Sequence, residues 1–310
     1  MDAAAAGRAQ VLTMTPRQLL QDLVSLLDLE TLEENLFRGA SRDLGGKSVF
    51  GGQVIGQALV AASRTVEGRA PHSLHAYFLR PGDMTRPIVY EVDRVRDGNS
   101  FTARRVQAIQ HGAAILTMIV SFQKPETGDE HQMPMPDTPP PESLRPLDAL
   151  YREWLAARER HGDPVPARVR EALLRELAIE FRPVAPWNPL EASSAPPRQS
   201  IWFRTAGTLP DAALLHRCVL AYASDFNLLS TALRPHGLSY LSGRAAVASI
   251  DHALWFHREA RVDDWLLYVM DSPSAQGARG LSRGLIYDRS GRLIASVAQE
   301  NLMRRASASA

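Results

Sequence analysis

The two halves of this 310-residue chain repeat the same order of predicted elements, and this repeat restricts the fold more than any other feature. Each half begins with a segment of helical periodicity, residues 51–65 in the first half and residues 211–233 in the second. Four segments rich in Val, Ile, Tyr, Phe and Thr follow each helix and predict strands. These segments are residues 73–79, 87–96, 100–110 and 113–123, and then residues 246–257, 265–272, 277–287 and 293–303. Because a repeat is a property of the whole chain, it is interpreted before any single motif.

The two halves also resemble each other in a few residues. Ala103–Arg104 matches Ala278–Arg279 before a predicted strand–turn–strand unit, and Phe122–Gln123 matches Ala298–Gln299 at the end of the last strand. A long apolar helix followed by an antiparallel meander predicts a sheet wrapped around a buried helix, which is the hotdog arrangement. Two tandem copies predict an α+β double hotdog. The alternative is an ordinary two-domain α+β protein whose halves are alike by coincidence.

A proline-rich stretch separates the two halves. Fourteen of the twenty-one prolines lie between Pro125 and Pro197, where neither a continuous sheet nor a continuous helix can form. Short helices are predicted over about residues 146–160 and 169–180 of this stretch. The predicted divisions are a disordered or short helical segment (1–25), an N-terminal hotdog (26–124), a linker (125–200), a C-terminal hotdog (201–304) and a tail (305–310).

Charge and cysteine content exclude several classes of protein. Thirty-five basic and thirty-four acidic residues leave a net charge of +1, so no overall positive field exists to hold nucleic acid. The single cysteine, Cys218, cannot form an internal disulfide, and the histidines lack the spacing of metal ligands. No apolar run reaches the roughly 18 to 20 residues of a membrane-spanning helix. We expect a cytoplasmic protein without a metal or cofactor.

Asp225 is the first candidate for a functional residue. On a helix, its neighbours three and four positions away are Ala221, Tyr222, Leu228 and Leu229, all apolar or aromatic. A carboxylate in such a stripe requires hydrogen-bond donors or a raised pKa, because burying a charge is costly. The pattern is compatible with a catalytic carboxylate and equally with a structural one that bonds to a turn or to the other half.

Two further polar candidates lie in predicted strands of the second half. Ser249 and Asp251 share one face of the strand 246–257, and His252 lies on the other face, which favours a structural role for His252. The Ser249 hydroxyl can orient a water molecule, but no Gly-x-Ser-x-Gly turn surrounds it as a nucleophile would require. Gln299 offers two donors and one acceptor, and can hold water or polarise a carbonyl.

Many separate motifs match one family in order and spacing. They are residues 33–39 (EENLFRG), 49–59 (VFGGQVIGQAL), 75–82 (HAYFLRPG), 179–183 (IEFRP), 222–225 (YASD), 235–237 (PHG), 249–257 (SIDHALWFH), 278–280 (ARG) and 299–300 (QE). In these motifs the chain resembles the acyl-CoA thioesterase II family, the TesB-type double hotdog thioesterases, over roughly residues 26–303. The resemblance implies hydrolysis of fatty acyl-CoA to free acid and CoA, without a metal or redox cofactor.

The resemblance also implies a water molecule held by an Asp, a Thr or Ser, and a Gln. By motif position these catalytic residues are Asp225, Ser249 and Gln299; bacterial members often have Thr at the position of Ser249. Asp225 would act as general base while the other two orient the water. Backbone N–H groups near Asp225 and the Gln299 amide are both candidates for stabilising the oxyanion.

The remaining expectations concern the number of sites and the partners. The helix 51–65 has no Asp, so we expect one working site per chain, near the contact of the two halves. The acyl chain is expected in an apolar groove between the two helices. The family and the exposed sheet edges favour a homodimer or a homotetramer.

Two other functions remain as alternatives. A hotdog enoyl-CoA hydratase would require an Asp-x-x-x-x-His spacing, and no His follows Asp225 at that distance. A non-catalytic acyl-CoA-binding protein would tolerate loss of Asp225, Ser249 and Gln299, and all three are present.

Overall fold

The computed structural model describes residues 14–241 and 244–305, so the first half of the predicted N-terminal segment and residues 306–310 of the predicted tail lie outside it. The helices of the described residues are α1 (Pro16–Leu27), α2 (Gly51–Ser63), α3 (Leu147–Arg160), α4 (Ala167–Leu174), α5 (Ala213–Ser224) and α6 (Leu228–Leu233), with one-turn 3₁₀ helices at Pro141–Ser143, Pro189–Glu191 and Arg234–His236. The strands are β1 (Glu30–Glu33), β2 (Leu36–Gly39), β3 (Ala70–Phe78), β4 (Ile88–Asp97), β5 (Phe101–Gln110), β6 (Ala113–Gln123), β7 (Ile179–Pro183), β8 (Arg198–Thr205), β9 (Ala245–Ser249), β10 (Asp251–Phe256), β11 (Leu266–Gln276), β12 (Arg279–Asp288) and β13 (Leu293–Arg305).

The described strands form one continuous antiparallel sheet that passes from the first half into the second. Its order is β1-β2-β4-β5-β6-β3-β10-β13-β12-β11-β8-β7, and β9 pairs with the end of β13. The halves join where β3 pairs with β10, with Ser73 opposite Trp255 and Tyr77 opposite Asp251. The sheet has no break at this junction that would mark a boundary between the halves. The bounds predicted for the two hotdog units therefore stay a prediction.

Each half wraps its part of the sheet around a helix, as the repeat predicts. In the first half, α2 packs against β2 to β6, and nearly all of its side chains are buried. In the second half, α6 packs against β11, β12 and β13, while α5 contacts β10. The two central helices α2 and α5 also pack against each other, so their buried faces form part of one core.

Three predicted elements differ from the structure for identifiable reasons. The helix predicted over residues 211–233 is two helices, because Asn227 adopts a left-handed conformation (φ 70°) that Asn tolerates better than most residues. The strand predicted over residues 246–257 is interrupted at Ile250. The second linker helix ends at Leu174, and residues 179–183 instead form β7, which pairs with β8 at the edge of the sheet.

Equivalent hydrogen bonds align the two halves and correct the residue matches predicted from the sequence. The N–H groups of Leu79 and Arg80 both donate to the Ile115 carbonyl, and those of His257 and Arg258 both donate to the Ile294 carbonyl. With this alignment and the strand registers, Ala103 corresponds to Leu281, and Phe122 to Asn301. The predicted matches to Ala278 and Ala298 are therefore wrong, because the short motifs that suggested them recur by chance three positions away.

Two glycines allow α2 and α5 to approach closely. A Cβ atom at Gly52 would overlap the backbone oxygen of Tyr222, and one at Gly56 would lie 3.3 Å from the backbone oxygen of Cys218. The spacing of four residues places both glycines on the same face of α2. Since the obstacle at Gly52 is backbone rather than a flexible side chain, the helix contact depends on the missing side chain at that position.

We expect Gly52→Ala to lower the free energy of unfolding by about 1 to 3 kcal/mol through overpacking. This loss should exceed the roughly 1 kcal/mol that Ala gains over Gly in a helix. Urea unfolding monitored by circular dichroism measures the difference. Gly128→Ala is the matched control, because no atom lies within 4 Å of a Cβ placed there. Equal stability of the Gly52 variant and the wild type would contradict the packing argument.

Candidate active site

Asp225 lies at the junction of the two halves. It is the C-cap residue directly after α5, and its Oδ2 accepts a hydrogen bond of 2.8 Å from the Gly52 N–H in the first turn of α2. Its side chain is only 5% exposed. A Cβ at Gly51 would lie 2.7 Å from the same oxygen, so Gly51 makes room for the carboxylate. The positive end of the α2 dipole stabilises a negative charge at this point.

Burial raises the pKa of the Asp225 carboxyl above its ordinary value of 3.8. The neighbouring His252 imidazole, the Gly52 N–H and the Gln299 amide oppose this rise without cancelling it. Within the described residues, Oδ1 is buried without a hydrogen-bond partner, and His252 Nδ1 lies 4.0 Å from it. One carboxylate oxygen is therefore held by the protein, and the other keeps an unused acceptor site.

Gln299 connects the other two polar groups of the site. Its Nε2 donates to Ser249 Oγ (2.9 Å) and to Asn301 Oδ1 (2.8 Å), and its Oε1 lies 2.6 Å from His252 Nδ1. Because an amide oxygen only accepts, His252 Nδ1 carries the proton in this contact. Gln299 is 1% exposed, so the network fixes its orientation within the protein. The structure thus brings Ser249 and Gln299 into direct contact. The Gln299 amide also opposes the rise in the pKa of Asp225 that burial causes, and Ser249 lines the same cavity as Asp225.

His252 belongs to the same hydrogen-bond network, although the sequence pattern predicted that it lies on the strand face opposite to Ser249. It is fully buried, and its Nε2 lies 2.9 Å from Ser224 Oγ at the end of α5. Both His252 and Ser249 contact the Gln299 side chain, so they face the same direction.

A bulge at Ile250 accounts for this change of face. Ser249 pairs with Asn301, whereas Ala253 pairs with Ala298, so the register shifts by one residue between β9 and β10. The Asp251 carboxylate accepts a hydrogen bond of 2.7 Å from the Glu300 N–H at this point. A β-bulge inserts an extra residue and thereby reverses the alternation of side chains beyond it. The adjacent polar residues Asp251 and His252, in an otherwise alternating strand, were the sequence signal for this bulge.

The first half has apolar residues where the second half has this network. In the alignment of the two halves, Leu74 corresponds to His252 and Val120 to Gln299. The C-cap residue of α2 is Arg64, whereas the C-cap residue of α5 is Asp225. The polar constellation is therefore restricted to the second half among the described residues.

A large cavity opens beside Asp225. Its volume is about 1360 Å³, and Asp225, Ser249 and Phe50 line it together with residues of the linker helices α3 and α4. Many of the other lining side chains are apolar, such as Val49 and Phe181. The linker stretch therefore forms a wall of the cavity as well as connecting the halves.

Three further observations concern the described residues. No group of three or more His, Cys, Asp or Glu side chains in residues 14–241 and 244–305 is arranged to hold a metal ion. No helix in the same ranges is long and apolar enough to cross a membrane. Burial raises the pKa of the Cys218 thiol to about 12, so this thiol is not a nucleophile at neutral pH.

We expect Asp225→Asn to raise the thermal unfolding temperature at pH 8. The folded state binds the Asp225 proton more tightly than the unfolded state, so the stabilising effect of protonation is complete below pH 3.8 and is lost as the pH rises through the folded pKa. Asn imitates the protonated carboxyl at every pH, so the difference from the wild type should shrink as the pH is lowered. Thermal unfolding from pH 4 to pH 8 measures this, and a destabilised variant at pH 8 would contradict the raised pKa.

Comparison with known proteins places the chain in a family. Residues 174–302 match the family model described as acyl-CoA thioesterase, and residues 40–123 match the one described as the acyl-CoA thioesterase N-terminal domain. Acyl-CoA thioesterase 2 of Haemophilus influenzae is 41% identical over 92% of this chain and 98% of its own length. Human acyl-coenzyme A thioesterase 8 is 39% identical over 91% of this chain and 88% of its own length.

Solved structures agree in the whole fold. The acyl-CoA thioesterase II TesB2 of Mycobacterium marinum superposes with a TM-score of 0.72 at 41% identity, covering 92% of this chain and 99% of that protein. A protein of hot dog fold from Alicyclobacillus acidocaldarius gives a TM-score of 0.71 at 18% identity, covering 92% of this chain and 98% of that protein, and it shows the fold alone. The predicted α+β double hotdog is confirmed, and the chain belongs to the acyl-CoA thioesterase family.

Proposed function

We propose that this chain hydrolyses fatty acyl-CoA thioesters to free fatty acid and CoA, with Asp225 as the general base. Acyl-CoA hydrolysis is the activity of the family to which the chain belongs. The main support for Asp225 as the base is its Oδ1, which has no hydrogen-bond partner in the described residues. The carboxyl group is buried, its pKa is raised, and it lines a large cavity with many apolar side chains.

The hydrogen bonds of the site suggest separate roles for Ser249 and Gln299. Both N–H donors of Gln299 are used by protein acceptors, so Gln299 acts on Ser249 rather than on the water itself. Because the Ser249 oxygen accepts from Gln299, its own O–H is directed elsewhere and can donate to a water molecule. That water donates one proton to Asp225 and keeps a lone pair for the thioester carbonyl carbon. Such positioning lowers the entropic cost of attack.

The reaction then proceeds in two steps. The water oxygen forms a bond to the carbonyl carbon while its proton passes to Asp225. The N-terminus of α2 at Gly51 provides partial positive charge for the developing oxyanion, since the Gly52 N–H already donates to Asp225. When the tetrahedral intermediate collapses, the C–S bond breaks, the acid is released, and the thiolate of CoA takes the proton from Asp225.

A second enzyme class, the enoyl-CoA hydratases, deserves comparison because His252 lies 4.0 Å from Asp225. Both ring nitrogens of His252 are engaged within the protein, by Gln299 and by Ser224. The ring is also fully buried. It therefore cannot exchange a proton with a substrate as a hydratase would require, and the arrangement favours hydrolysis.

We also propose one catalytic site per chain, because Leu74 and Val120 occupy the positions of His252 and Gln299 in the first half.

The cytoplasmic location and the homodimer or homotetramer remain proposals. Support for assembly comes from Tyr77 and Ile119, which are 56% and 50% exposed on the neighbouring strands β3 and β6.

We expect Asp225→Asn to lower kcat by about 10² to 10⁴, the usual contribution of a general base. Release of free thiol from palmitoyl-CoA measures the rate. Asp271→Asn is the matched control, because Asp271 is a half-exposed carboxylate that pairs with Arg283 outside the cavity. A non-catalytic acyl-CoA-binding protein would show no thiol release in the wild type, and full activity of the Asp225 variant would exclude the general-base role.

Ser249→Ala and Ser249→Thr separate the hydroxyl from the rest of the side chain. We expect Ala to lower kcat about 10- to 100-fold with little change in KM, because the water loses its orientation while substrate binding is kept. Thr keeps the hydroxyl and should retain most of the activity. Equal losses in the two variants would show that the Ser249 hydroxyl does not act on the water.

A further inference from the structure

The helix α6 and its two cap residues present a polar stripe to the cavity, and the proposed reaction does not use this stripe. Asn227, Ser230 and Arg234 follow one another at intervals of three and four residues, and all three line the cavity. The apolar residues Leu228, Ala232 and Leu233 are buried. The short helix thus divides its surface between the core and the cavity.

Arg234 is a buried cation that lacks a carboxylate. It is 7% exposed, its Nε has no hydrogen-bond partner, and no carboxylate forms an ion pair with it in the described part of the chain. Its contacts are a 3.3 Å hydrogen bond from Nη1 to Gln199 Oε1 and the face of Trp187, 5.5 Å away. Burial lowers the pKa of this guanidinium. A buried charge without an opposite charge is costly for the fold.

Another buried arginine of the described residues is paired with a carboxylate, as buried charges usually are. Arg104 is 2% exposed and donates to the Asp97 carboxylate (2.7 Å) and to Thr65. Arg104 therefore has its counter-charge within the protein, whereas Arg234 has none in residues 14–241 and 244–305. The difference points to a bound ligand as the counter-charge of Arg234.

A second group on the stripe also lacks a partner. Asn227 Nδ2 is buried without a hydrogen bond in the described residues, while the Asn227 carbonyl accepts from Gln199 Nε2 (2.8 Å). Asn227 and Arg234 lie two helical turns apart on the same face, about 10 Å along the axis. Since Asn227 follows Asp225 by two residues, the stripe leads from the reactive carboxylate towards the guanidinium.

We propose that Arg234, with Asn227, forms an anion subsite of the substrate groove that binds an oxyanion group of the acyl-CoA. This inference rests on the proposed function. The group is either a phosphate of the CoA portion or a carboxylate at the far end of the acyl chain. Both present oxygens that accept the donors of a guanidinium. A ligand that lies along the stripe, with its thioester at Asp225, brings such a group to Arg234.

Steady-state kinetics of Arg234→Gln with three thioesters test the subsite. The probes are octanoyl-CoA, the octanoyl thioester of N-acetylcysteamine, which has no phosphate, and the CoA thioester of the eight-carbon dicarboxylic acid. If the anion is a phosphate, we expect KM to rise at least tenfold for both CoA esters and to stay unchanged for the N-acetylcysteamine ester. If the anion is a carboxylate, only the dicarboxylic ester should show this rise.

Two variants and one measurement keep the outcome interpretable. Arg234→Lys retains the charge and should recover part of the lost affinity, and Arg283→Gln removes an exposed arginine that pairs with Asp271 outside the cavity and should change no KM. Circular dichroism of each variant verifies folding. An unchanged KM for both CoA esters, or the same rise with all three probes, would overturn the subsite. A wild type that hydrolyses none of the three would instead reject the proposed function.

Discussion

The hydrogen bond between the Asp225 carboxylate and the Gly52 N–H is the interaction on which the rest of the site depends. It joins the residue that follows α5 to the beginning of α2, and so links the two halves of the chain at the Asp225 carboxylate. Glycine at positions 51 and 52 makes the contact possible, because a side chain at either would strike Asp225 or the α5 backbone. The same closeness excludes water from one side of the carboxylate and raises its pKa.

Half of the buried side-chain polar atoms that lack hydrogen-bond partners in the described residues belong to residues that line one cavity. Asp225 Oδ1, Asn227 Nδ2 and Arg234 Nε are all buried and unbonded in the described residues, and all belong to residues that line this space. A protein that is selected only for stability would pair such groups, because each costs free energy when it is buried alone. Their grouping is typical of a site whose hydrogen bonds are completed by a ligand.

The duplicated architecture lets one copy serve as a scaffold. The first half keeps the hydrogen bonds of the repeat, such as those to the Ile115 carbonyl, but it has Leu74 and Val120 at the positions of the histidine and glutamine of the second half. Its contribution to the site is backbone: the N-terminus of α2 faces Asp225. The second half thus supplies the polar side chains of the site, and the first half supplies the helix N-terminus that Asp225 faces.

The sequence by itself determined the repeated helix and meander, because periodicity is local and the apolar pattern of α2 and of the strands needs no knowledge of the partner elements. It also offered Asp225, Ser249 and Gln299 as candidates, since polar side chains in apolar segments are visible in the pattern and the motifs shared with the family contain them. Only the tertiary structure decided that His252 joins them, because a bulge at Ile250 reverses the face of the strand. It likewise decided that Asp225 is buried by the helix of the other half, and no local pattern encodes a contact between residues 173 positions apart.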